Sequence, residues 1–294
     1  MPVVSVILPN YNHAAFLQKR IDSILKQSFQ DFELILLDDC SKDGSRIILE
    51  GLRNHPRVKH VLYNEKNSGS VFKQWAKGIN LAIGKYTWIA ESDDWAEPHF
   101  LENMVAEMGS DEHAGICFAG SNWVDDKGFS GKDLSIYFKS FSRNGSEEIL
   151  STLVKYNSIQ NASAVLMNTS LAKKYIAGAT RFKSCGDWFL YVNMLSESNL
   201  IFNSKKLNNF RWYHANISNS ANKKGLWLSE GLRIIAFSRL VSLKLSRREI
   251  MDIVRYWRTK TGYTFFSTPR LFSWYLLTMT IFILRALSYR IRTS

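Results

Sequence analysis

The sequence predicts an α/β fold: a mixed, mostly parallel sheet flanked by helices, followed by a C-terminal helical appendage. Three observations carry this. Short apolar runs rich in β-formers recur early in the chain: VVSVIL (3–8), ELILL (33–37), VKHVLY (58–63), YTWIA (86–90) and GICFA (115–119). Stretches with apolar residues at helical spacing separate them, and that alternation requires crossover connections between parallel strands. From about residue 225 the pattern is helical throughout. The expected division is therefore 1–222 and 223–294.

The elements follow in order. Pro9-Asn10 ends the first run, and Leu17, Ile21, Ile24 and Leu25 then recur at helical spacing. The second run ends in Asp38-Asp39, with a helix expected from Ser41. Ser70 is placed to cap a helix carrying Phe72, Trp75, Ala76 and Ile79 on one face, and Gly84 to close it. The run at 86–90 stops abruptly in Glu91, Ser92, Asp93 and Asp94. A helix with Leu101, Met104, Val105 and Met108 ends at Gly109. Beyond residue 120 the pattern loosens. There SAVLM (163–167) reads as a strand, and Cys185-Gly186-Asp187-Trp188 opens a helix. Ser246-Arg247-Arg248-Glu249 is a capping-box pattern before Ile250, Ile253, Val254 and Trp257.

Composition narrows the function classes. The chain has 294 residues, 46% of them hydrophobic, which is enough for a full core. A net charge of +12 favours an anionic partner. Neither zinc-finger spacing nor an RNA-binding aromatic motif is present, so nucleic acid is not the expected partner. Three scattered cysteines, Cys40, Cys117 and Cys185, form no disulfide framework and point to a reducing compartment. The chain opens directly on a strand-like run without a signal-peptide pattern, which makes the cytoplasm the expected location.

Three carboxylates within four residues, Glu91 to Asp94, repel one another unless a positive charge lies among them. Such a cluster at a strand end suits a hard divalent cation with oxygen ligands, Mn²⁺ or Mg²⁺, sharing its shell with phosphates. The plain alternative is an acidic helix start that favours the dipole of the next helix. Its place after a buried strand, beside the polar strand ends Pro9-Asn10-Tyr11 and Asp38-Asp39, favours the ligand site. In such sheets ligands bind beyond the carboxyl ends of the strands.

Five segments in order, VSVILPNYN (4–12), LILLDDCSKDGS (34–45), NSGSVFKQWAKGINLAIGKYTWIAESDDW (67–95), CGDW (185–188) and FRWYHANIS (210–218), resemble the motifs of family 2 glycosyltransferases. The resemblance covers about residues 3–220 and implies the GT-A nucleotide-sugar-binding fold with inverting transfer. It implies that Pro9 and Tyr11 line the nucleobase pocket and that Asp39 accepts from the base. Asp38 caps the turn at Ser41. Glu91-Ser92-Asp93 corresponds to the acidic metal motif, usually Asp-x-Asp. Glu91 and Ser92 then fall to the donor, Asp93 to the metal, and Asp94 to the acceptor side or a supporting shell. Where the family often has Arg-Asn this chain has Trp75-Ala76, so Lys73 is the expected diphosphate contact. Asp187 becomes the general base with Trp188 beside it on the acceptor side, Arg211 a donor contact and His214 a metal ligand.

The expected activity is transfer of a sugar from a nucleotide donor, UDP- or dTDP-linked, to a glycan or lipid-linked acceptor in cell-surface polysaccharide synthesis. A nucleotidyltransferase would need a glycine-rich basic loop after the first strand, which PNYNHAAF lacks. A non-catalytic nucleotide-sugar-binding or scaffold protein would not need both Asp93 and Asp187. Residues 271–284, LFSWYLLTMTIFIL, carry no charge and have Arg270, Arg285, Arg290 and Arg292 around them. Fourteen residues at about 1.5 Å each reach roughly 21 Å, short of a bilayer core of about 30 Å. A helix lying on the inner face of the cell membrane is expected, with core packing or a homo-oligomer contact as the alternative.

Overall fold

The computed structural model describes residues 1–125, 128–129, 135–212, 226–265 and 269–293. One mixed sheet organises the chain. Its first half holds β1 (Val4–Asn10), β2 (Phe32–Asp38), β3 (Val58–Tyr63) and β4 (Tyr86–Ile89), in the order β3-β2-β1-β4, all parallel. Its second half is built on β6 (Ala114–Asp125) and β10 (Asn199–Arg211), a long parallel pair. Antiparallel β9 (Val165–Asn168) joins the halves by pairing with both β4 and β6. Short β5 (Trp95–Ala96) and β8 (Phe141–Asn144) flank β10, and β7 (Gly128–Phe129) flanks β6.

Alternation along β1 sets the layers. Val4, Val6 and Leu8 face a core shared with Leu17, Ile21 and Ile24 of α1 (Ala14–Leu25) and with Phe100, Leu101 and Met104 of α4 (Phe100–Ser110). Ile7 faces the opposite core. That core is filled by α3 (Val71–Leu81), α6 (Thr169–Ala179) and α7 (Gly186–Leu195). Short α2 (Ser45–Glu50) and α5 (Gly145–Glu148) complete the domain before the C-terminal helices.

Several expected boundaries shift for local reasons. The helix expected from Ser41 begins at Ser45, because Cys40 takes a left-handed φ of 68° and the Ser41 N–H donates to Asp38 Oδ1. Gly84 does not close α3, whose last residue is Leu81. A Cβ at Gly84 would lie 2.7 Å from the Ser5 backbone nitrogen, so glycine is needed there for close approach to β1. The capping box forms as expected: Ser246 N–H donates to Glu249 Oε2 at 2.7 Å, and Glu249 N–H to Ser246 Oγ at 3.2 Å.

The C-terminal helices are α8 (Leu226–Phe237), α9 (Arg247–Phe265) and α10 (Pro269–Thr293). They share the core of the sheet. Trp257 of α9 stacks on Trp188 of α7 and Trp227 of α8, with ring centroids 6.3 and 5.8 Å away. Tyr275, Met279, Phe282 and Ala286 bury one face of α10 in the same cluster. The charge-free run at 271–284 therefore lies within a 25-residue helix of roughly 37 Å, and packing accounts for one of its faces. No helix among the described residues is long and apolar enough to cross a membrane.

Candidate active site

The carboxyl ends of β1, β2 and β4 open into a cavity of about 610 Å³, closed on the far side by the segment before α7. Tyr11, 44% exposed, stands at the β1 end. Its loop is tied to β2: Asn12 N–H donates to Ser41 Oγ at 2.9 Å, and Lys42 N–H to Asn12 Oδ1 at 2.7 Å. Asp39 is buried at the β2 end and held by the loop before α3. Its Oδ1 accepts from Asn64 Nδ2 and Ser68 N–H, and its Oδ2 from Ser68 Oγ at 2.7 Å. Asp38 caps the turn at Ser41 and also binds Arg46 Nε at 2.9 Å.

The acidic turn after β4 is braced on every side. Glu91 Oε1 accepts from the indole of Trp75 at 2.6 Å. Thus two of the three positions that depart from the family pattern, Trp75 and Glu91, contact each other. Burial, then the neighbouring Asp93 charge, pushes Glu91 up to about 8. Ser92 Oγ lies 2.7 Å from His13 Nδ1. Asp94 Oδ1 accepts from Arg211 N–H at 2.9 Å, and burial with the Asp93 charge raises its carboxyl to about 7.

The positive charge among these acids is Arg20. It is fully buried on α1, with its guanidinium over the Trp88 ring at 4.7 Å, and among the described residues none of its nitrogens meets an acceptor. Burial lowers it to about 10, opposed by Asp94, Glu91 and Asp93, so it stays protonated at neutral pH. The available signal was its position, three residues after Leu17 and four before Ile24, on the apolar face of the helix.

Asp187 is the second residue of α7 and is partly open to the cavity. Its Oδ2 accepts from Asn157 Nδ2 at 2.9 Å, and burial pushes its carboxyl up to about 7. Gly186 allows this placement, since a Cβ there would lie 2.7 Å from the Ala179 carbonyl and from the Phe72 ring.

The cavity thus collects Pro9, Tyr11, Asp39, Glu91, Ser92, Asp93, Asp94 and Asp187. Three expected residues fall elsewhere. Lys73 turns away on the exposed side of α3, where its Nζ donates to the Ser68 carbonyl at 3.1 Å. Lys183 lines the cavity instead. Arg211 braces the acidic turn from behind, with its guanidinium over Phe16 and Trp95 and its Nε on the Asp93 carbonyl at 3.1 Å. Trp188 points into the core, 1% exposed, with its indole on the Leu153 carbonyl at 2.9 Å. His214 lies outside the described residues.

The acidic turn offers oxygen ligands of the kind a hard divalent cation takes. Among the described residues no group of three or more metal-ligating side chains converges. Glu91, Asp93 and Asp94 all line the cavity, where Glu91 Oε1 accepts from Trp75 and Asp94 Oδ1 from Arg211 N–H. A site without three converging protein ligands suits a cation that completes its shell with substrate phosphates rather than one held in a protein cage.

A sheet flanked by helices, with an aromatic and acids at its strand ends and a separate carboxyl on a facing helix, agrees with the GT-A fold that the sequence resemblance implies. The chain belongs to glycosyl transferase family 2, whose model matches residues 5–176. Among curated relatives, a putative teichuronic acid biosynthesis glycosyltransferase of Bacillus subtilis, TuaG, is 37% identical over 107 residues. That match takes in 36% of this chain and 42% of the relative, so the chain spans less than half the length of that protein. An uncharacterized glycosyltransferase of Rickettsia typhi is 26% identical over 271 residues, 89% of this chain and 81% of the relative. Among solved structures, TarS of S. aureus (residues 1–349) in complex with UDP-GlcNAc superposes with a TM-score of 0.64 at 18% identity, covering 98% of this chain and 91% of that one. A Pyrobaculum calidifontis mannosyltransferase with GDP-Man and Mn²⁺ gives a TM-score of 0.58 at 13% identity, covering 98% and 87%.

Proposed function

We propose that the chain is an inverting glycosyltransferase. It moves a sugar from a UDP- or dTDP-linked donor to a hydroxyl of a glycan or lipid-linked acceptor in cell-surface polysaccharide synthesis. One observation carries this: a single cavity joins Tyr11 and Asp39, suited to a nucleobase, with Asp93 and with the separate carboxyl of Asp187. The acceptor oxygen attacks the anomeric carbon as the bond to the diphosphate breaks, and Asp187 takes the hydroxyl proton. A single displacement inverts the configuration. A carboxyl raised to about 7 is matched to accept a proton near neutral pH. Tyr11 stacks on the base and Asp39 accepts its N–H. Bound at Asp93, and at His214 as the family resemblance implies, Mn²⁺ or Mg²⁺ would supply charge stabilisation to the leaving diphosphate. The UDP-GlcNAc complex of the Staphylococcus structure and the teichuronic acid name of the Bacillus relative support a UDP donor and a cell-wall glycan.

The test is release of nucleoside diphosphate from a panel of nucleotide-sugars with Mn²⁺ or Mg²⁺ and lipid-linked acceptors. Asp93→Asn is expected to lower kcat/KM by about 10²-fold or more, a loss of several kcal/mol of charge stabilisation. An unchanged kcat/KM and an unchanged metal titration would remove Asp93 from this role.

The same reading places the protein on an anionic membrane surface at the cytoplasmic face. The face of α10 away from the core exposes Leu276, Leu277, Leu284 and Leu287. Replacing these four with Gln is expected to abolish sedimentation with vesicles containing phosphatidylglycerol while leaving the melting temperature unchanged. Equal sedimentation would remove the membrane, and a change from dimer to monomer would assign the face to a second copy. Deleting α10 is a poor substitute, because that would also remove Tyr275, Met279 and Phe282 from the core.

A further inference from the structure

Glu230 of α8 is 4% exposed and lies 45 residues beyond the loop it holds. Its Oε1 accepts from Lys183 N–H at 2.8 Å, and its Oε2 accepts from Ser184 N–H at 3.0 Å and from Cys185 N–H at 2.9 Å. These three consecutive amides lead directly into α7, where helix geometry leaves N–H groups without partners. A second contact docks the same segment: the Arg233 guanidinium lies over the Phe182 ring at 4.8 Å. The clamped segment forms one wall of the cavity through Lys183, Ser184 and, two residues past Cys185, Asp187. Glu230 and this wall both lie beyond the 5–176 match to the family.

We propose that Glu230 is a positioning residue for glycosyl transfer: from the C-terminal helices it fixes the 183–185 backbone, and so sets Asp187 against the acceptor hydroxyl and Lys183 against the anionic part of the donor. The proposal rests on Asp187 being the base. Removing the carboxylate frees three amides and lets the start of α7 move. A displacement of about 1 Å at a reacting group lowers the rate by up to about 10²-fold. Glu230 also places a negative charge near Asp187, which acts to raise it. The other groups around Asp187 are Asn157 from the loop before β9, Cys185 and Tyr191 on either side along the chain, and Lys183 at the rim.

The experiment compares Glu230→Gln and Glu230→Asp in the full chain. Gln keeps the size but has one acceptor oxygen and no charge; Asp keeps the charge but draws the oxygens back. Both are expected to lose ten- to a hundredfold in kcat, roughly, with donor KM little changed. Only Glu230→Gln should move the pH inflection of kcat, to lower pH, since a neighbouring negative charge no longer opposes loss of the Asp187 proton. A merely structural role would lower the melting temperature and leave kcat and the inflection of the folded fraction unchanged. That outcome would overturn the proposal. Hydrogen exchange gives a readout independent of catalysis. The Lys183, Ser184 and Cys185 amides should be protected in the unmodified chain and exposed in Glu230→Gln, while α7 interior amides such as Leu190 stay protected. Fast exchange of all three in the unmodified chain would also overturn it, even if Glu230→Gln fails to fold. If instead Asp187→Asn is fully active while the three amides respond, the clamp stands and the base assignment falls.

Discussion

Asp187→Asn is expected to lower kcat by about 10² to 10⁴-fold, the usual contribution of a positioned general base. The substitution is nearly isosteric, so the amide still accepts from Asn157 and the start of α7 keeps its packing on Phe72. The melting temperature should hold or rise, because a carboxyl whose charge is disfavoured by burial has been removed. The pH profile supplies the sign. Burial raises Asp187 to about 7, so below that pH the group carries a proton and cannot accept one. In the unmodified chain kcat/KM should rise with pH through about 7 and then level, and in Asp187→Asn that step should vanish. A variant with near-normal kcat and the same step would assign the base elsewhere.

The second large effect is on stability. Trp257→Ala removes a fully buried ring that stacks on Trp188 and Trp227 and whose indole donates to the Val154 carbonyl at 2.8 Å. The neighbouring Gly231 is shaped to it, since a Cβ there would lie 2.4 Å from the Trp257 ring. A large cavity and an orphaned carbonyl should destabilise the chain by about 3–5 kcal/mol. Urea unfolding followed by tryptophan fluorescence and by nucleoside diphosphate release measures it. Because Trp188 lies next to Asp187, activity and fluorescence should be lost in one transition at a lower midpoint. Two separate transitions, with activity surviving the first, would make the C-terminal helices an independent appendage.

Much of the fold was legible because its signals are local. β3 matches the apolar run at 58–63 residue for residue. β10 carries no local strand signal: it holds Asn208 and Asn209, both fully buried, instead of a period-two apolar pattern. Asn209 is satisfied by a partner distant in sequence: its Nδ2 donates to Glu97 Oε1 at 2.8 Å. A polar residue with a long-range partner leaves no trace in a local window.

The sequence by itself determined the parallel core of the sheet, the family, and the polar strand ends that meet in one cavity. Each depends on periodicity or on residues adjacent in the chain. Only the tertiary structure decided which cation serves which acid. Arg20 lies beneath Glu91 and Asp94; Lys183, and not Lys73, lines the cavity; Trp188 belongs to the core, and Glu230 holds the segment that leads into α7. The physical reason is that a side chain's direction follows from what packs against its element. For α7 those partners include α6, β6 and, through Trp188, the rings of Trp227 and Trp257 on the helices after residue 226.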